Sequence, residues 1–186
     1  MPIQKTSQDE IILKALDVFR LQGYHRTSMT DLANACGLLK GSFYHYFDGK
    51  EAIMEAVLNY VATQLDQNVF VCAYNPNYSP EKRLEKMLVR LSKSLLNAEG
   101  GCIIGNTTLE TCLHIPKFSE ISKHIFDSWI KAQTYIYESV HAPEKAKQLA
   151  IQTVMEFEGA VMLVKLYNDI QLYKDCYHRA MKRLEA

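Results

Sequence analysis

The chain has 186 residues, 48% of them hydrophobic and 23% charged, and its formal net charge is zero. This composition is ordinary for a globular protein and excludes disordered and collagen-like chains. It also excludes a protein that coats nucleic acid through bulk charge, because residues 1–50 carry only six Lys or Arg against five Asp or Glu.

The N-terminal part is predicted to form three short helices. The first covers about 7–21, because its apolar residues follow the spacing i, i+3, i+4, i+7. The second begins at Ser28, where the run Ser28–Asp31 matches a capping box, and it ends at Gly37. The third covers roughly 40–47. The stripe of the first helix consists of Ile12, Ala15, Leu16 and Phe19.

Six longer helices are predicted for the rest of the chain, which shows neither strand alternation nor internal repeats. They are separated by a Pro- and Asn-containing loop at 75–80, a glycine pair at 100–101 and prolines that open new helices. The sequence therefore predicts an all-α fold of about nine helices. The six ranges are about 50–72, 80 to the glycine pair, 102–113, 116–139, 143–167 and 170–184.

The stretch 28–47 has the two-sided character of a DNA-reading helix pair. Two short helices meet at a tight turn, and Leu38, Phe43 and Phe47 supply an apolar side. The opposite side of the third helix is polar or minimal, as a helix entering a major groove requires. An alternative remains open from these residues alone, since helix pairs with a glycine turn also occur in proteins that bind no DNA. The polar side consists of Lys40, Gly41, Ser42, Tyr44 and His45.

The run from Thr30 through the Gly37 turn to Ala52 resembles the DNA-binding domain of the TetR family. This resemblance implies a homodimeric repressor that leaves its double-stranded operator when a small molecule binds the C-terminal domain. It implies a DNA-binding domain at 5–50, with its helix-turn-helix at 28–47, and an effector-binding and dimerisation domain at 51–186. One departure is Leu39, where the family often carries a small polar residue. The DNA-contacting residues expected are Ser28, Thr30, Lys40, Gly41, Ser42, Tyr44, His45 and Lys50.

The C-terminal part is expected to hold the dimer interface and an effector pocket. Predicted helices 8 and 9 are the candidates for the homodimer, since helix 8 carries apolar residues on more than one side. Aromatic walls with a few polar anchors indicate a hydrophobic or aromatic effector. Each of these residues also fits an ordinary core or solvated position. The expected pocket residues are Asn106, Glu110, His114, Trp129 and Phe157.

Cys102 supports an alternative function, a redox- or electrophile-sensing repressor. It lies in the run Gly100–Asn106, which resembles a run found in a subset of TetR-like regulators, some of which sense through the cysteine. A thiol at a helix N-terminus has a lowered pKa, because its thiolate faces free amides. The simpler interpretation is a small buried residue beside a glycine turn.

Other classes of protein are excluded by what the chain lacks. No Gly-rich phosphate loop, catalytic triad signature or metal-ligand spacing occurs, so neither an enzyme nor a cofactor or metal site is predicted. The five cysteines form no C-x-x-C pair, and their number is odd. No signal peptide and no run of 18 apolar residues is present, so we expect a cytoplasmic protein without membrane contact.

Overall fold

The computed structural model describes residues 7–96 and 100–185. Within these ranges the chain forms nine α-helices and one short 3-10 helix at Phe70–Tyr74, with no strand. The predicted all-α class and the predicted number of helices are thereby confirmed. The α-helices are α1 Gln8–Gln22, α2 Met29–Cys36, α3 Lys40–Phe43, α4 Lys50–Asn68, α5 Pro80–Leu96, α6 Ile103–Thr111, α7 Pro116–Tyr137, α8 Pro143–Tyr167 and α9 Gln171–Lys182.

The helix ends differ from the predicted ones mainly at α3 and α4. Helix α3 stops at Phe43, and residues 44–46 continue as a turn. The amides of His45 and Tyr46 bond to carbonyls three residues earlier, which tightens the backbone beyond the α-helical pattern. Helix α4 gives way to the 3-10 helix before the predicted end at residue 72. Across the described ranges, no helix combines the length and apolarity needed to span a bilayer.

The described residues form two compact units, one within Met1–Val61 and Ile103–Ser122 and the other within Ala62–Cys102 and Lys123–Ala186. The first unit joins the three N-terminal helices to α6, which packs against α1 although it lies about eighty residues further along the chain. The boundary predicted from the sequence lies between residues 50 and 51. It does not include α6 in the first unit, because local sequence patterns do not show this long-range packing. The functional domains 5–50 and 51–186 remain a prediction.

Each unit has its own apolar core. In the first, Phe19, Leu32 and Phe43 are fully buried and join α1, α2 and α3. In the second, the buried Tyr137 of α7 connects α8 and α9, since its hydroxyl lies 3.1 Å from the Thr153 hydroxyl and donates to the Ala180 carbonyl at 3.0 Å. The hydroxyl is thus satisfied inside the core, as a buried polar group requires.

Candidate nucleic-acid interface

Ser28 fixes the start of α2. Its hydroxyl oxygen accepts the Asp31 amide at 3.2 Å, and the Asp31 carboxylate accepts the Ser28 amide at 2.8 Å. The Ser28 hydroxyl also donates to the same carboxylate at 2.6 Å. This arrangement confirms the predicted capping box, and these hydrogen bonds lower the pKa of the Asp31 carboxyl. The Ser28 hydroxyl hydrogen is therefore occupied within the protein.

Gly37 sets the direction of the chain between α2 and α3. Its backbone is left-handed, with φ 68° and ψ 26°, and its amide and that of Leu38 bond to carbonyls at the end of α2. A residue other than glycine is strained in this conformation. A Cβ at this position would have open space around it, so the glycine is required by the backbone and not by crowding.

Helix α3 and the turn after it have one buried side and one exposed side. Phe43 is fully buried and Phe47 nearly so, with their ring centroids 6.4 Å apart. Tyr44 is 46% exposed. The structure thus has the predicted division of this segment into a buried apolar side and an exposed polar side. The other open residues are Lys40, Gly41 and His45, with Ser42 half-buried.

Leu39 stands immediately before α3 and is 80% exposed. It forms no side-chain hydrogen bond to the first turn of the helix. A small polar residue at such a position commonly caps the helix. With Leu39 at this position, the start of α3 lacks a side-chain cap, and the helix is anchored by the buried Phe43.

Lys50, at the start of α4, contacts the turn between α1 and α2. Its ammonium donates to the Tyr24 carbonyl at 2.8 Å and to the His25 carbonyl at 3.5 Å, and it lies 4.3 Å from the centroid of the Tyr24 ring. Burial lowers the pKa of Lys50. The contact of Lys50 with a DNA phosphate that the family resemblance implies remains a prediction. Ser28 and Thr30, which are also among the expected DNA-contacting residues, are exposed.

The predicted effector residues fall into two groups. Trp129 and Phe157 are buried together in the second unit, with ring centroids 6.1 Å apart. The other three belong to the first unit. There Asn106 is half-buried, His114 is exposed, and the Glu110 carboxylate accepts the His25 amide at 2.9 Å. Trp129 and Phe157 are thus in direct contact.

Cys102 precedes the first residue of α6 and is buried, with 6% of its surface exposed. Its thiol hydrogen-bonds the side chain of Glu158, a carboxyl whose pKa is raised by burial. The neighbour identified for this thiol is thus a carboxyl group. A reactive cysteine is commonly found beside a cation and with access to solvent.

No sequence pattern indicates the role of the segment Gly23–His25, the α1–α2 turn. The sequence predicts Gly23 only as the end of the first helix, whereas Lys50 and Glu110 both bind this turn. The one local signal was a glycine followed by two aromatic side chains. The partners lie 26 and 85 residues away, so no periodic pattern could have indicated them.

Two family models match the chain. The model described as "Bacterial regulatory proteins, tetR family" matches residues 11–57. The model described as "Transcriptional regulator LmrA/YxaF-like, C-terminal domain" matches residues 80–176, more than half of the chain. The first match contains the whole segment with the buried phenylalanines and the open polar side.

Individual proteins agree with these models. The chain is 26% identical over 161 residues to the HTH-type transcriptional regulator YxaF of Bacillus subtilis, covering 84% of each chain. It is 25% identical to the HTH-type transcriptional repressor DhaR of Mycobacterium sp. strain GP1, covering 86% of this chain and 82% of DhaR.

A solved structure of a TetR transcriptional regulator from Legionella pneumophila has the same fold. It superposes with a TM-score of 0.86 at 21% identity and covers 97% of both chains. This likeness shows the fold, while the two model matches and the HTH-type relatives identify a DNA-binding transcription regulator. The chain belongs to the TetR family of bacterial regulatory proteins, with a C-terminal domain of the LmrA/YxaF-like type.

Proposed function

We propose that this regulator is a homodimeric repressor that binds operator DNA through α3 and is released by a small hydrophobic or aromatic effector. The observation that carries the proposal is the exposed polar side of α3 above the buried Phe43 and Phe47. Repression, rather than activation, is supported by the relative DhaR, which is an HTH-type transcriptional repressor.

Four side chains give α3 and its turn the means to hold a duplex. The Lys40 ammonium suits a phosphate or a guanine edge, and the hydroxyls of Ser42 and Tyr44 suit phosphates. His45 donates to phosphate even when neutral. Gly41, which has nothing within 4 Å of a would-be Cβ, lets the backbone come close to DNA. Since the chain carries no net charge, binding rests on these few contacts.

A stripe of exposed apolar residues on α8 supports the homodimer. Met155, Met162 and Leu166 are 61%, 63% and 69% exposed, and their spacing places them on one face of the helix. Gly159 lies within this stripe and has open space around a would-be Cβ, so a partner helix can approach closely. Large apolar side chains grouped on a surface are typical of an interface.

A second copy is the partner that this stripe fits best. A single helix-turn-helix covers too little DNA for a selective site, whereas a two-fold dimer presents two recognition helices about 34 Å apart, one turn of DNA. Helix α9 packs along α8 and would form the rest of the interface. The α8–α9 assignment is therefore part of the proposal.

The effector site is proposed around Phe157. Its ring contacts Trp129 and also Tyr173, at a centroid distance of 4.9 Å. Within the described ranges, no protein group hydrogen-bonds the Trp129 indole nitrogen or the Tyr173 hydroxyl, although both are buried. Such groups cost roughly 1–3 kcal/mol each when unpaired, so a ligand with hydrogen-bonding atoms is favoured here.

Thiol sensing through Cys102 has weaker support. Its sulfur is buried and hydrogen-bonded to the Glu158 side chain, so an electrophile would have to reach a covered thiol. A lowered thiol pKa at a helix start would need solvent access to be useful for sensing. We therefore favour the aromatic site over the thiol as the place where the signal is received.

Selection from random DNA tests the proposed function directly. Purified full-length protein should enrich a two-fold symmetric sequence whose half-sites are about one helical turn apart. Failure to enrich any sequence at low salt, or enrichment of a site without symmetry, would contradict the proposal. The selected site then serves as the operator in the experiments below.

A further inference from the structure

The α1–α2 turn is bound on one side by α6. The Glu110 carboxylate accepts the backbone N–H of His25 at 2.9 Å. In return, the His25 ring nitrogen Nε2 lies 3.0 Å from the backbone carbonyl of Glu110. One residue of α6 thus makes two contacts with one residue of the turn, across 85 positions of sequence.

Gly23 makes this close approach possible. Its φ is +77°, and a Cβ built on it would lie 2.4 Å from Glu110 Oε1 and 3.1 Å from Cδ. The carboxylate thus occupies the place of a side chain at position 23, and a Cβ there would force the Glu110 side chain to shift. The backbone conformation favours glycine independently of this neighbour.

Lys50 binds the same turn with opposite charge. Its ammonium donates to the Tyr24 carbonyl at 2.8 Å, and the Glu110 carboxylate accepts the backbone N–H of the next residue, His25. Burial lowers the pKa of Lys50, and the negative charge of Glu110 partly offsets this lowering. The anion satisfies a donor of the turn and the cation satisfies an acceptor, the pairing that a bent backbone segment needs.

The turn leads directly into the DNA-binding helices. The Thr27 hydroxyl donates to the Gly23 carbonyl at 2.6 Å, and the next residue, Ser28, caps α2. Helix α2 in turn packs against α3. A shift of the turn would therefore move α2 through Thr27 and Ser28, and α2 would move α3. All of these residues belong to the first compact unit.

We propose that Glu110 is a positioning residue for DNA binding. From α6 it holds the α1–α2 turn, and through the turn it sets the orientation of α2 and α3, without touching DNA itself. This role rests on the proposed DNA binding through α3, and it gives Glu110 a different task from the effector contact expected from the sequence.

Three glutamate substitutions test whether Glu110 positions the DNA-binding helices. Glu110→Ala removes the acceptor, Glu110→Gln keeps an amide oxygen that can accept the His25 N–H, and Glu120→Ala, an exposed residue of α7, is the matched control. Operator affinity is measured by fluorescence anisotropy at fixed salt, with the thermal midpoint recorded for each variant. Exchange of the His25 amide reports the local hydrogen bond.

We expect Glu110→Ala to weaken operator binding about tenfold and to speed His25 amide exchange, while Glu110→Gln and Glu120→Ala stay within about threefold of wild type. Wild-type affinity in Glu110→Ala would overturn the role. So would equal losses in Glu110→Gln and Glu110→Ala, because the carboxylate would then not act as an acceptor that an amide can replace.

A second substitution keeps the test decisive if Glu110→Ala is unstable. Gly23→Ala pushes a Cβ into the Glu110 carboxylate, and its backbone strain is the same whatever stands at 110. The loss of operator affinity caused by Gly23→Ala should therefore be smaller in the Glu110→Ala background. Additive losses would overturn the role. If Tyr44→Ala weakens binding while the Glu110 variants do not, this inference fails and the proposed function stands.

Discussion

The ammonium of Lys50 lies 2.8 Å from the carbonyl oxygen of Tyr24, so that the first residue of α4 is tied to the turn between α1 and α2. The same ammonium lies over the Tyr24 ring. Tyr24 itself packs edge-to-face on Phe118, with ring centroids 5.2 Å apart. The start of α4 is thus part of the first unit's internal framework.

Replacing Lys50 by methionine should lower the free energy of unfolding by about 1–2 kcal/mol, since a hydrogen bond from a charged group to the Tyr24 carbonyl is lost. Urea unfolding followed by circular dichroism measures this, with the exposed Lys145→Met as control. The predicted phosphate contact is tested separately, because its loss would reduce the slope of log affinity against log salt by about one. Unchanged unfolding in Lys50→Met would contradict the structural role.

The capping box at α2 should make stability depend on pH at the acid end. Hydrogen bonds from Ser28 lower the pKa of Asp31 in the folded chain, so its contribution is present above the ordinary Asp pKa and is lost as the pH falls through the folded value. Asp31→Asn should therefore be less stable than wild type near pH 7. Chemical unfolding between pH 7 and pH 2 should show the two proteins converging on acidification. A gap that stays constant with pH would contradict this linkage.

The helix limits that could be predicted are those that depend on neighbouring residues. Pro143 and the apolar periodicity gave α8 its predicted range of 143–167, which is confirmed. Ser28 and Asp31, which are three residues apart, predicted the start of α2. Such signals are local, because a cap or a helical stripe depends on side chains within one or two turns.

The parts that could not be predicted depend on distant residues. Nothing near Glu110 indicates that its carboxylate reaches the His25 amide, 85 residues earlier. Trp129 and Phe157 are predicted as pocket residues, but the contacts of the Phe157 ring with Trp129 and with Tyr173 depend on how three helices pack. The early end of α3 was also missed, since the pattern of Phe43 and Phe47 fits a continuing helix as well as a turn.

The α8 stripe predicts an effect of charge on assembly. Met162→Glu places a carboxylate in the middle of the proposed interface, and two such charges would face each other across a two-fold axis. Sedimentation equilibrium should show a dimer for wild type and a monomer for Met162→Glu at micromolar concentration. Leu109→Glu, which adds the same charge at an exposed leucine of α6, is the control and should remain a dimer. A dimeric Met162→Glu would remove α8 from the interface.

The single tryptophan of the chain reports on the proposed effector site. Because Trp129 is buried against Phe157, an aromatic ligand bound there should change its fluorescence, and a library can be screened by this signal. A ligand found in this way should release the operator. Cys102→Ser should respond to it as wild type does, whereas Phe157→Ala should weaken binding about tenfold or more. Loss of the response in Cys102→Ser would favour the thiol mechanism.

The open side of α3 is tested most directly by the operator affinity of Tyr44→Ala at matched salt. Tyr78→Ala removes another exposed tyrosine, from the loop before α5, and serves as the control. With the Phe43 and Phe47 anchors intact, Tyr44→Ala should keep its thermal midpoint but bind the operator about tenfold more weakly, or worse, while Tyr78→Ala binds normally. Equal affinity in Tyr44→Ala and wild type would mean that this side of α3 does not meet DNA.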